Sequence, residues 1–75
     1  MKQLYRFELI PRMSRGPVRA KCNVYVVDRS RVPPPEEGYD WREANPARFS
    51  ESEERQIRDD INSKGMAVLP PPSGT

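Results

Sequence analysis

Apolar and polar residues alternate along two short stretches near the start of the chain. In residues 3–10, QLYRFELI, Tyr5, Phe7 and Leu9 fall on one side and Arg6 and Glu8 on the other. A period of two built from aromatic and branched residues predicts a half-buried strand. Pro11 ends it, because proline has no N–H to give to a ladder. Residues 20–27, AKCNVYVV, repeat the pattern: Cys22, Val24 and Val26 share one face, and Lys21, Asn23, Tyr25 and Val27 the other. The valines favour a strand through their stiff χ1. Between the two runs lies PRMSRGPVR, with Gly16-Pro17 as the turn signal. The expectation is an antiparallel hairpin with a long, exposed loop.

A different period follows. Residues 50–64, SESEERQIRDDINSK, read as a helix. Ser50 and Glu53 have the spacing of a capping box. Glu51, Glu53 and Glu54 crowd the first turn, where the helix dipole favours anions. Glu51–Arg55 and Glu54–Arg58 are spaced as i,i+4 ion pairs, and Gly65 suits a left-handed terminator. The apolar stripe is thin (Phe49, Ile57, Ile61, Met66), so the helix should dock along a narrow seam and expose a wide charged face. Residues 66–69 are a candidate third strand. Residues 29–39, RSRVPPPEEGY, form a stiff linker of polyproline character. Asp40 and Glu43 have capping-box spacing for one short helical turn, and Asn45-Pro46 repeats the start signal.

The fold class expected is therefore α+β: a small antiparallel sheet, a β-hairpin with a short third strand, packed against one α-helix. Residues 1–69 form the domain and residues 70–75 a disordered proline-rich tail. The expected core is Tyr5, Phe7, Leu9, Cys22, Val24, Val26, Trp41, Phe49, Ile57, Ile61, Met66 and Val68. Trp41 and Tyr39 read as a plug for that core, with an interface anchor as the other reading.

Composition limits the chemistry. Of 75 residues, 35% are apolar and 32% charged, so the core is thin and a walled active site does not fit. With no histidine the usual general base is missing. One cysteine, Cys22, makes neither an internal disulfide nor a metal cluster, and its place beside Val24 and Val26 reads as a small buried hydrophobe. Asp59 and Asp60 point about 100° apart on a helix and do not converge on a metal or a proton. No nucleotide-binding or nucleophile motif is present. The expectation is a protein without catalysis, cofactor or metal. Arg6 and Glu8 interrupt the N-terminal run, so it does not read as a signal peptide. Nothing approaches the roughly 20 apolar residues of a membrane span, and the lone cysteine suits a reducing cytoplasm.

Charge adds the functional expectation. Residues 1–35 hold eight cations and two anions, net +6, while residues 36–75 hold five cations and nine anions, net −4. Such asymmetry points to a partner read through charge. Arg6, Lys21 and Tyr25 are expected on the outer face of the hairpin, with Arg12, Arg15 and Arg19 extending that surface into the loop. Glu54 and Arg58 stand for the helix face. The ordinary reading of each surface is solvation, with the helix charges explained by capping and i,i+4 pairing. The functional expectation is a small regulator or inhibitor that occupies the surface of a protein target, one belonging to nucleic-acid machinery such as a polymerase or nuclease. Small accessory proteins of bacterial viruses share this character, an analogy of type carried by no motif. The alternative is direct DNA or RNA binding by the basic hairpin, Arg6 to Lys21, which would be weak and steeply salt dependent. An acidic helix would be repelled from a major groove.

Overall fold

A computed structural model describes residues 2–13, 15–16, 18–46 and 48–70. Four strands and one α-helix appear in the order β1 (Tyr5–Pro11), β2 (Cys22–Val26), β3 (Tyr39–Ala44), α1 (Glu51–Lys64) and β4 (Ala67–Leu69), with a 3-10 turn at Arg29–Arg31. The strands form one antiparallel sheet in the order β3-β1-β2-β4. The α+β class holds, and the short strand after the helix pairs back onto β2. The expected tail beyond Pro70 lies outside the described residues.

The strand order forces the chain over both faces of the sheet. β2 and β3 both run opposite to β1, which lies between them, so residues 27–38 must cross β1 on one face. β3 and β4 are the two edges, so residues 45–66 must cross the sheet as well, and α1 does so resting on β2 and β4. Residues opposite each other in a ladder share a face. The face bearing Tyr25, Asn23, Ala67 and Leu69 carries the helix: Leu4, Tyr25, Ile57, Ile61 and Ala67 form one buried cluster, with Val27, Phe49 and Leu69 against it. The Tyr25 and Phe49 rings meet edge to face, centres 5.3 Å apart.

The opposite face bears Tyr5, Phe7, Leu9, Cys22, Val24, Val26 and Trp41. Val26 and Val24 are 0% and 2% exposed and lie outside the helix-side cluster. Here the proline-rich segment is a strap. Trp41 Nε1 donates to the Pro33 carbonyl at 2.7 Å, and the Arg29 guanidinium sits 4.6 Å from the centre of the Tyr5 ring. Polyproline backbone has no internal hydrogen bonds to maintain. It can therefore lie on a sheet without becoming a strand.

Several expectations change. The helix was expected on the face of Tyr5, Phe7, Val24 and Val26, and it packs on the other face. Tyr25, expected on the outer surface, is 3% exposed and lies in the core, as do Leu4 and Ala67. Tyr5, Phe7, Cys22, Trp41, Phe49 and Met66 are half-buried. Val68, expected in the core, is 55% exposed, because it lies on edge strand β4 and on the face away from the helix. The helical turn expected at Asp40–Glu43 is instead strand β3, whose exposed Asp40, Arg42 and Glu43 guard a sheet edge.

The local helix signals are realised. Ser50 Oγ accepts from the Glu53 amide at 3.3 Å, and Glu53 Oε1 accepts from the Ser50 amide at 3.2 Å. Gly65 has φ 89° and donates its amide to the Ile61 carbonyl at 2.7 Å, closing the helix. A side chain at that φ would be strained.

Candidate functional site

The loop joining β1 to β2 is the most exposed basic segment of the hairpin. Backbone hydrogen bonds hold both of its ends: the Lys21 amide donates to the Leu9 carbonyl in β1 at 2.7 Å, and the Arg12 amide to the carbonyl of Gly38, just before β3, at 2.9 Å. Arg12 turns back across the sheet. Its Nε donates to Asp40 Oδ2 at 3.3 Å and its Nη2 to Asp40 Oδ1 at 3.2 Å. Lys21 reaches the strap. Its ammonium lies 2.5 Å from Glu36 Oε2 and 5.1 Å from the centre of the Tyr39 ring. The hydrogen bond that Lys21 donates to Glu36 stabilises the charged form and raises the Lys21 pKa above its ordinary value. Arg6 is half-buried, 3.7 Å from Glu8, which also takes Arg42 at 3.2 Å. Its cross-strand neighbour is Tyr25. Burial raises the Tyr25 pKa, and nearby Arg6 pulls it the other way.

The basic face expected across Arg6, Lys21 and Tyr25 is thus not assembled. Tyr25 is core, and Arg6 and Lys21 are neutralised by carboxylates. Three ion pairs, Arg12–Asp40, Lys21–Glu36 and Arg29–Glu43, join cations of the first half to acids of the second, and Glu8–Arg42 joins the halves in the opposite sense. The charge split along the sequence is thus closed only in part in space: among the described residues Lys2, Arg15, Arg19 and Arg31 form no ion pair.

What is left of the basic surface is narrower. Arg15 and Arg19 are exposed, and among the described residues neither forms an ion pair with a carboxylate. Beside them Met13 is 89% exposed. Sequence reasoning gave Met13 no role, although its place between Arg12 and Arg15, in a loop without apolar periodicity, was a usable sign that nothing internal would cover it.

The helix presents the second surface. Of the two pairs expected, Glu54–Arg58 forms at 3.2 Å, and Glu51–Arg55 does not. Arg58 also donates to the Lys2 carbonyl at 3.0 Å, tying the helix to the N-terminal segment. Glu51, Glu53 and Asp59 remain exposed along the helix. The loop and the helix stand on different parts of the fold, so the residues singled out from sequence do not converge on one site.

Among the described residues no group of three Asp, Glu, Cys or His side chains is placed to hold a metal ion. No described helix is long and apolar enough to cross a membrane. No family model, curated protein or solved structure matches the chain.

Proposed function

We propose that this is a non-catalytic binding protein that docks on a protein partner through the β1–β2 loop, with Met13 as the apolar anchor and Arg15 and Arg19 as the charged rim. The observation that carries this reading is the 89% exposure of Met13 beside two exposed arginines. Methionine and arginine are both enriched where proteins meet, and the flexible thioether adapts to an irregular pocket. A nucleic-acid backbone would use the arginines and leave the methionine in water, so the loop favours a protein over a direct DNA or RNA ligand. The acidic helix surface of Glu51, Glu53 and Asp59 suits a partner with a basic channel, as in a polymerase or nuclease. Binding there would work by occupying the channel, with charge setting the rate and orientation of encounter more than the affinity.

The test is affinity capture with three baits: the wild type, Met13→Asp, and Arg15→Glu with Arg19→Glu. The expected result is one saturable partner retained by the wild type and lost with either loop variant. Binding to short DNA and RNA is measured alongside at low and moderate salt. Nucleic-acid binding that survives Met13→Asp but fails with the arginine changes would replace this reading with direct nucleic-acid contact. Equal behaviour of all three baits would remove the loop from consideration.

A further inference from the structure

Three cations from distant parts of the sequence meet at one cleft. Lys2 comes from the segment before β1, Arg31 from the 3-10 turn that opens the strap, and Lys64 from the last turn of α1. They border a cleft of about 400 Å³ with Asp28, Asn62 and Gly65. An adjoining hollow of about 250 Å³ shares Lys2 and Asn62 and adds Arg58. Among the described residues Lys2, Arg31 and Lys64 form no ion pair.

Local charge decides what such a cleft attracts. Among the described residues Asp28 is the one acid on its wall. The Ser30 amide and hydroxyl donate to Asp28 Oδ1 at 3.0 and 2.8 Å and hold the carboxylate ionised, with Arg31 and Lys2 adding to the effect. Arg58 is answered by Glu54 and adds no net charge. The carbonyl end of α1 also faces this region and contributes roughly half a negative charge. Three cations against Asp28 and that helix end leave about +1.5 in a partly enclosed space. Lys64 suffices to answer the helix end, and Asp28 answers one of the other two cations, so one is left in excess.

We propose that this cleft binds a phosphoryl-bearing anion, the phosphate of a nucleotide or of a nucleic-acid strand. Arg31 supplies the planar fork that matches phosphate oxygens, and Lys2 and Lys64 act as point charges. Asn62 supplies a neutral amide donor. The volume falls in the range of small-ligand sites, roughly 300–1,000 Å³. The cleft shares no residue with the β1–β2 loop, so this inference does not rest on the reading of that loop.

The test is an amide NMR titration of the full chain at low salt with pyrophosphate, adenosine triphosphate and a short oligothymidylate. The expected result is saturable shifts at Val27, Asn62 and Gly65. Arg31→Glu and Lys64→Glu should each weaken binding about tenfold or more, the scale of losing one charge-assisted contact, whereas Arg48→Glu, exposed and outside the cleft, should leave it unchanged. Saturation by the triphosphate but not the oligomer assigns a free nucleotide, and tighter binding of the oligomer assigns a strand. Both outcomes uphold the site. Both altered side chains are exposed, and Arg31→Gln and Lys64→Gln give the same comparison should a charge reversal disturb folding. The proposal fails if no probe shifts the cleft amides at millimolar concentration. It also fails if the charge variants bind as the wild type does.

Discussion

Replacing Tyr25 by alanine tests which face of the sheet carries the helix. Tyr25 is 3% exposed against Leu4, Ile57, Ile61 and Ala67. Cutting a buried aromatic residue to alanine costs about 3–5 kcal/mol. Of this, about 0.5–1.5 kcal/mol belongs to the edge-to-face contact with Phe49. A chain of this length has a total stability of roughly 5 kcal/mol, so Tyr25→Ala should be close to unfolded at room temperature. Urea unfolding can be followed by far-UV circular dichroism for the helix and by fluorescence of Trp41 for the strap face. Trimethylamine oxide, which strengthens effective burial, brings the variant into a measurable range. Tyr25→Phe keeps the ring and should cost less than about 1 kcal/mol. Combining Tyr25→Ala with Phe49→Ala should return a coupling of about 0.5–1.5 kcal/mol. Both probes should report one transition, because β2 belongs to both layers. A loss of less than about 1 kcal/mol in Tyr25→Ala, typical of an exposed residue, would refute the assignment of faces.

Ser50→Ala removes the acceptor that holds the Glu53 amide and should cost about 1 kcal/mol in urea unfolding; no change would mean that the cap does not form in solution. Asn23 is 3% exposed, and its Oδ1 has no partner among the described residues. Asn23→Val, which removes that unpaired group and suits a strand, should leave stability unchanged or raise it by up to about 1 kcal/mol, and a clear loss would show that the amide is satisfied in solution. Burial raises the Tyr25 pKa, so the folded protein keeps a proton that the unfolded chain releases. That stability is intact below about pH 10 and is lost as pH rises through the higher folded value. Tyr25→Phe should therefore soften the alkaline decline seen by circular dichroism, and superimposable curves for the two proteins would contradict the burial.

Elements were more legible in the sequence than their layering. The capping pair Ser50–Glu53 and the terminator Gly65 are local signals, read from residues a few positions apart, and they stand in the structure as expected. The two hairpin strands likewise follow from their alternation. The facing of the sheet was not legible, because β2 is covered on both sides and alternation cannot rank Tyr25 against Val24 when both are buried. A proline strap able to cover Val24 and Val26 has no periodicity to announce it. β3 was missed because Asp40 and Glu43 have the spacing of a helix cap, yet Tyr39 and Trp41 already carried the strand period. At the candidate surface, the count of cations in the hairpin was legible. That Arg12 and Lys21 would be answered by Asp40 and Glu36 was not, since Glu36 lies in the strap and Asp40 in β3, and both come beside the hairpin only once the strap has crossed and β3 has paired with β1.

The three ion pairs that join cations of the first half to acids of the second also have a consequence before folding is complete. A denatured chain with a cationic front and an anionic rear is a block polyampholyte, and its two blocks attract across the proline segment. Its unfolded ensemble is therefore drawn in at low ionic strength and released by salt. The attraction brings residues 1–35 toward residues 36–75, the same encounter that β1 and β3 must complete. Salt thus acts on the reference state of folding as well as on the exposed pairs of the native one. The urea dependence of unfolding should steepen as salt expands the denatured chain, even where the native ion pairs contribute almost nothing.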